Sequence, residues 1–318
     1  MIIQTLALIA GLVLILLGAN YLVDGSSSVA KKFGLSEFII GLTIVGIGTS
    51  SPEMVVSFMS AFQGKADMAV GNIVGSNIFN TLMILGITAL VAPLAITKSN
   101  HRKDIPLNIG VTALLIVLGL NFTLFGTGKD EISRLDGALL LGLFAWYLWS
   151  SFKSDKPEED EDSQIKEYSV LKSCIMIACG LAGLIIGGRL FVNSATELAK
   201  AFGVSDKFIA ITVMAAGTSM PELATCVVAA LKGRGQLALG NVLGSNIANI
   251  LLILGGAALI SPLSFSGMTY ADLGVAIASA ILIFISAYTF KKKQLDRIEG
   301  AILLLLEIAY MWYLIANL

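Results

Sequence analysis

The chain has 318 residues, 56% of them hydrophobic and only 14% charged, with a formal net charge of −1 and a mean hydropathy of +0.85. Soluble globular chains carry about 45–50% apolar and about 25% charged residues, so the composition excludes an ordinary soluble domain and indicates an integral membrane protein. The charge sits in a few loops and points to no particular partner, and no nucleic-acid partner is expected. Cys174, Cys179 and Cys226 fall in apolar runs without metal-ligand or redox spacing and read as small core residues.

A helical span needs roughly 20 apolar residues. In chain order such runs lie near 3–24, 38–62, 68–93, 105–125 and 135–152, then near 170–193, 207–231, 237–261, 270–290 and 298–316. The expectation is an all-α polytopic membrane protein of about ten transmembrane helices in two sets of five. The first set occupies 1–152, a hydrophilic linker 153–169 and the second set 170–318. The first run has no basic segment before it and no small-residue cleavage pattern after it, so it reads as a retained span rather than a signal peptide. The linker, KSDKPEEDEDSQIKEYS, is acidic at Glu158–Asp162 and reads as solvated, since nothing in it resembles a calcium loop.

With the N-terminus outside, about 15 of the 21 Lys and Arg residues fall on the inner side, among them Lys31, Lys32, Arg102, Lys232, Arg234 and Arg297. That bias predicts a multi-pass protein of the inner or plasma membrane with a cytoplasmic linker and both termini outside. His101 lies in a basic inner loop, where a solvated role is expected.

The two sets repeat each other. A shift of 169 residues aligns GTSSPE (Gly48–Glu53) with GTSMPE (Gly217–Glu222), and GNIVGSNIFNTLMILG (71–86) with GNVLGSNIANILLILG (240–255). A shift of 163 then pairs RLDGALLL (Arg134–Leu141) with RIEGAILL (Arg297–Leu304). Chance apolar similarity would preserve Leu and Val; here the matched residues are Gly, Asn, Ser, Thr, Pro and Glu. Five spans is an odd number, so the halves enter the membrane in opposite senses: an inverted-topology repeat, the architecture of many secondary transporters.

Within 46–57, Pro52 has no N–H and its ring crowds the preceding turn, so a carbonyl near Gly48 loses its partner. Free carbonyls at membrane depth are tolerated where they line a cavity. Thr49 and Ser50 add hydroxyls, and Glu53 lies one turn on along the same side. The segment 215–226 rebuilds the cluster from Thr218, Ser219, Pro221 and Glu222. Two such helices meeting across a pseudo-twofold axis bring Glu53 and Glu222 together, and facing carboxylates do not both stay ionised in a low-dielectric site unless cations neutralise them. Oxygen ligands with no intramembrane His and no Cys at metal-ligand spacing suit Ca2+ and Na+ and oppose zinc or copper. In the second motif, Ser76 and Asn80 share a helix face, as do Ser245 and Asn249, placed either to complete a coordination shell or to glue helices together. Asn72 and Asn241 are read evenly both ways.

The strings GTSSPE, GTSMPE, GNIVGSNIFN and GNVLGSNIAN resemble the two alpha-repeats of the calcium/cation antiporter superfamily, specifically the prokaryotic sodium/calcium exchangers, over essentially the whole chain. The resemblance implies ten helices, with the first and sixth sliding past the other eight to alternate access. It implies Ca2+ coordination by Glu53, Glu222, Thr49 and Thr218, and Na+ sites that add Ser50, Ser219, Ser76, Ser245, Asn80 and Asn249, with no cofactor. Several members carry Asp where this chain has Asn249, which leaves two membrane carboxylates rather than three and bears on stoichiometry and potassium dependence. Proton-coupled relatives show a different motif, so Na+ coupling is favoured over an H+/Ca2+ or K+-dependent alternative using the same site.

The reading is therefore a secondary active antiporter, functional as a monomer in the bilayer, exchanging Ca2+ for Na+ and not an enzyme. A membrane hydrolase lacks a base beside Ser50 or Ser219, and a passive channel leaves the inverted matching unexplained. Asp136 and Glu299 open their helices, where a carboxylate complements the exposed N–H groups. Glu307 lies mid-span with Phe144 at its matched position, and Arg189 is a candidate partner for it.

Overall fold

The computed structural model describes residues 1–126, 128–154, 165–203, 215–289 and 293–317. Among them, six helices are long and apolar enough to cross a membrane. These are α1 (Ile2–Phe33), α4 (Ala66–Val91), α7 (Arg134–Ser154), α8 (Val170–Ala201), α11 (Gly235–Ile260) and α13 (Arg297–Ala316). A seventh span is the pair α2 (Glu37–Thr49) and α3 (Ser51–Phe62), bent by 48°. Shorter apolar helices complete the array: α5 (Ile105–Gly119) continued by α6 (Asn121–Phe125), α9 (Ala215–Thr218) continued by α10 (Met220–Leu231), and α12 (Tyr270–Ser286). The run expected at 207–231 is described from 215 onward, and its earlier part, like most of the acidic linker, lies outside the described residues.

Local chemistry sets the helix ends. α1 stops where Gly34 takes a left-handed conformation (φ 64°) and its N–H returns to Ala30 and Lys31. Ser169 caps α8, Thr269 with Asp272 forms a capping box on α12, and Asp296 with Glu299 does so on α13. At α7, the Ser133 N–H donates to Asp136 Oδ2 (2.8 Å). Asp136 and Glu299 thus act at helix starts, as their positions suggest.

α1 and α8 each run for 32 residues, about 48 Å at 1.5 Å per residue, well beyond the runs 3–24 and 170–193. They pack antiparallel at close range. A Cβ on Gly18 would lie 2.8 Å from the Gly180 carbonyl oxygen, and one on Gly11 would lie 2.8 Å from the Phe191 nitrogen. Small residues let helix backbones approach and gain van der Waals contact where lipid offers no hydrophobic driving force. The outward faces of this pair and of α13 carry exposed Leu6, Leu12, Ile186 and Trp312, the apolar exterior expected against acyl chains.

α4 and α11 lie at the centre, both largely buried. Matched positions meet across the halves: Gly86 of α4 approaches Gly300 of α13, and Gly255 of α11 approaches Gly137 of α7. Four two-residue strands, absent from the helical reading, tie loops together. β1 (Leu94–Ala95) pairs with β4 (Gln294–Leu295), and β2 (Glu131–Ile132) with β3 (Leu263–Ser264), both antiparallel. Gln236 donates to the Ala95 carbonyl (2.7 Å), Arg234 pairs with Glu37 (3.4 Å) and Lys232 with Asp24 (2.6 Å), so these loops share one end of the bundle. Lys31 pairs with Glu167 (2.9 Å), and its ammonium, hydrogen-bonded to that carboxylate, holds the Glu167 carboxyl below the usual carboxylate range.

Three expectations need correction. Only Cys226 is a core residue; Cys174 and Cys179 are exposed on α8, because that helix presents one side outward. Arg189 is exposed on α8 and does not partner Glu307, which is buried in α13 with Oε2 unpartnered. His101 is half-buried, its ring 4.6 Å from those of Phe284 and Tyr288 rather than solvated.

Candidate ion-binding site

The helix break comes where the proline requires it. Ser50, between α2 and α3, leaves the helical region (φ −77°, ψ 8°), and Pro52 sits in the first turn of α3, where its missing N–H is harmless. Ser219 does the same between α9 and α10 (φ −91°, ψ 6°), ahead of Pro221. The carbonyl at Gly48 does not stay free, because the Ser51 hydroxyl donates to it at 2.7 Å. Met220, at the matched place in the second half, has no hydroxyl to offer. Ahead of the first break, residues Gly41–Val45 form a π-helical turn, and the central helices carry matched π-turns at Asn80–Ile84 and Asn249–Leu254. Such turns are rare and concentrate at functional sites.

Glu53 and Glu222 come together at the centre, each about 1% exposed and close enough to repel each other. Their partners are crossed. Ser50 Oγ donates to Glu222 Oε1 (3.1 Å), and Ser219 Oγ donates to Glu53 Oε1 (3.2 Å). Ser76 Oγ also reaches Glu53 Oε1, at 3.5 Å. The Thr218 and Thr49 hydroxyls lie beside Glu53 and Glu222 respectively. Thr49 is fully buried; its hydroxyl donates to the Val45 carbonyl (3.0 Å) and lies 3.1 Å from Asn241 Oδ1. Ser245 is equally buried and donates to the Gly46 carbonyl (3.1 Å).

An asparagine ladder flanks the carboxylates. Asn80 Nδ2 donates to Asn246 Oδ1 (3.1 Å), and Asn249 Nδ2 donates to Asn77 Oδ1 (2.9 Å). Asn246 Nδ2 continues to Thr81 Oγ1 (2.9 Å), and Asn77 Nδ2 donates to the Asn246 carbonyl (3.1 Å). With their amide hydrogens engaged this way, Asn80 and Asn249 each keep Oδ1 buried and without a partner. Glu53 Oε2 and Glu222 Oε2 are in the same condition. Four buried acceptor oxygens, two from each half at matched positions, lack a donor. Buried acceptors without partners are costly, and among the described residues no basic side chain bonds to either carboxylate. The chemistry of the set is hard oxygen throughout, which fits a cation such as Ca2+ or Na+.

Of the ten residues singled out by the sequence, Ser50, Ser219, Ser76, Thr49 and Thr218 meet Glu53 or Glu222, Ser245 bonds the Gly46 carbonyl, and Asn80 and Asn249 bond within the ladder on the central helices. Asn72 and Asn241 resolve toward positioning: Asn72 Nδ2 bonds Ser57 Oγ (3.0 Å) and the Glu53 carbonyl (3.3 Å), while Asn241 Nδ2 bonds Cys226 Sγ (3.2 Å). Sequence reasoning missed Asn77 and Asn246, although both stand inside the duplicated GSNIxN string. Because Asn246 accepts from Asn80 and donates to Thr81, Asn246→Leu strands a buried donor and a buried acceptor and is expected to destabilise the fold by about 3 kcal/mol. Thermal unfolding of purified protein in detergent measures this.

The sodium/calcium exchanger protein family model matches residues 3–153 and 172–316. The chain belongs to that family. It is accordingly a helical multi-pass membrane protein and a cation antiporter, not an enzyme. This exchanger-family chain is 37% identical to the putative antiporter CaxA of Alkalimonas amylolytica, over 100% of both chains. It is 32% identical to the sodium/calcium exchanger MaX1 of Methanosarcina acetivorans, covering 96% of this chain and 97% of that one. Among solved structures, the sodium-calcium exchanger NCX_Mj superposes with a TM-score of 0.84 at 32% identity, covering 98% of this chain and 99% of the other.

Proposed function

We propose that the protein exchanges Ca2+ for Na+ by alternating access at a site built from Glu53 and Glu222. The observation that carries this reading is the set of four unpartnered buried oxygens, two of them carboxylate, on matched residues of the two halves. One Ca2+ or a group of Na+ ions balances a charge of about −2, and shared ligands set the two cations in competition. In this reading Thr49, Thr218, Ser50, Ser219, Ser76, Ser245, Asn80 and Asn249 supply the remaining oxygens. The named relatives support the ion pair: MaX1 is a sodium/calcium exchanger, and NCX_Mj structures were obtained with Na+ and Ca2+ or Sr2+.

The architecture belongs to the same proposal. It comprises ten spans in inverted halves, 1–152 and 170–318, joined by the cytoplasmic linker 153–169, with both termini outside and a monomer as the working unit. The close glycine contact between α1 and α8 supports their moving as one body against the buried α4 and α11. The crossed partnership of Ser50 with Glu222 and Ser219 with Glu53 supports a site on the axis between the halves.

Coupling is tested by radiolabelled Ca2+ uptake into proteoliposomes loaded with Na+, K+ or a pH step, side by side. Outward Na+ gradients are expected to drive uptake at least about tenfold over choline, while K+ and H+ gradients alone drive none. Uptake driven by a pH step in sodium-free buffer, indifferent to Na+, would select proton coupling instead. A relation to K+-dependent exchange is part of the same test, since sodium/potassium/calcium exchanger 3 of Homo sapiens is 32% identical over 31% of this chain.

A further inference from the structure

The second half of the chain supplies a run of hydrogen bonds that ends on Thr49 of the first half. It passes through Cys226 and Asn241, which stand where the first half has Ser57 and Asn72. Cys226 lies one helical turn beyond Glu222 on α10, and Asn241 lies on α11; both are fully buried. The thiol donates to the Ala238 carbonyl (3.6 Å), Asn241 Nδ2 donates to Cys226 Sγ (3.2 Å), and Thr49 Oγ1 lies 3.1 Å from Asn241 Oδ1. Asn72, by contrast, turns its amide hydrogens onto Ser57 Oγ and the Glu53 carbonyl, inside its own half.

The far end of this run fixes its direction. A backbone carbonyl can only accept, so the single thiol hydrogen points at Ala238 and the sulfur presents lone pairs to Asn241. An asparagine amide keeps its shape when turned over, so its partners alone decide whether oxygen or nitrogen faces a given neighbour. Here the oxygen faces Thr49, whose one hydroxyl hydrogen has two acceptors besides Glu222, namely Asn241 Oδ1 and the Val45 carbonyl (3.0 Å). Turned over, Asn241 Nδ2 would donate into Thr49 Oγ1 and occupy a lone pair there. Thr49 lies beside Glu222, and a hydroxyl can hold a cation only through its lone pairs.

We propose that Cys226 and Asn241 are positioning residues for Ca2+ binding. Anchored on the Ala238 carbonyl, they keep an acceptor opposite Thr49 and so leave the Thr49 oxygen free for the ion. The proposal rests on the exchange reading above, which makes Thr49 a ligand, and both residues act through that hydroxyl rather than on the ion.

Equilibrium binding of radiolabelled Ca2+ to purified protein in Na+-free detergent solution tests it without requiring transport. Cys226→Val fills a similar space but offers Nδ2 no lone pair, and it is expected to raise the half-saturating Ca2+ concentration about fivefold or more. Cys226→Ser, whose hydroxyl both donates and accepts, is expected to bring that concentration back within about twofold of the unsubstituted protein. In a Thr49→Val background, where no hydroxyl remains to be oriented, Cys226→Val should add less than about twofold. Normal Ca2+ binding by Cys226→Val overturns the proposal. So does binding by Cys226→Ser as weak as that of Cys226→Val, which would indicate a packing effect, or losses from Thr49→Val and Cys226→Val that simply multiply. Should the valine variant fail to fold, Cys226→Ala is read in the same way. A protein that binds no Ca2+ before any substitution fails the exchange reading itself, and the positioning role with it.

Discussion

Glu53→Gln and Glu222→Gln are each expected to lower Na+-gradient-driven Ca2+ uptake by about 100-fold or more. Each substitution keeps the shape of the side chain and the oxygen that accepts from serine, and it removes one of only two charges in the proposed site. It also puts an amide nitrogen, a donor, where an unpartnered Oε2 now stands, so the group meant to hold a cation turns its hydrogens toward it. Losing a charged hydrogen-bond or ligand interaction typically costs about 1.5–3 kcal/mol, and breaking a buried charge arrangement on one side about 3–5 kcal/mol. Either range carries the loss past 100-fold at its upper end. The two variants should behave alike because their partners are crossed equivalents. Uptake within about twofold of the unsubstituted protein in either variant would take the carboxylate pair out of the mechanism.

Gly244→Val is expected to have the largest effect on folding. A Cβ at Gly244 would overlap the Leu42 carbonyl oxygen, and Gly240 is pressed in the same way against the Phe38 carbonyl oxygen. The obstacle is backbone in the bent span α2, not the end of a flexible side chain, so the site has nowhere to yield. Overpacking a well-filled interior usually costs about 1–3 kcal/mol, and here the displaced strut also carries Thr49 and Ser50 toward the carboxylates. A loss of about 3 kcal/mol or more should appear as aggregated or degraded protein on expression, read by fluorescence size-exclusion of a tagged chain. Monodisperse protein of normal yield would show that α2 and α11 are less tightly joined than the contact indicates.

Much of the site was legible because its chemistry is written twice. A proline preceded by Gly-Thr-Ser and followed by Glu, in an apolar run, can hardly be packing alone, and repetition at a fixed spacing removed the remaining ambiguity. The break at Ser50 and Ser219 follows from proline geometry that operates locally. Other features depend on neighbours that periodicity does not encode. Asn77 and Asn246 are passed over in the sequence because an asparagine amide has the same composition whether it aims at a ligand or at another amide. The extra length of α1 and α8 was hidden because their ends carry Ser, Lys and Glu, which a hydropathy rule counts against a span although helix propensity does not. Cys174 and Cys179 were placed in the core because lipid-facing and core-facing positions are equally apolar in a membrane helix. The Ser51 bond to the Gly48 carbonyl shows a local rescue of a broken helix that the proline rule alone would leave open.

The crossed serine–glutamate bonds make each half of the chain complete the surroundings of the other half's carboxylate. Severed from its counterpart, either half would retain an acidic group whose hydroxyl companion resides on the missing piece. In the present chain a substitution at Ser50 is felt first by Glu222, 172 residues away in sequence, so inherited changes in one half are screened by what the other can tolerate.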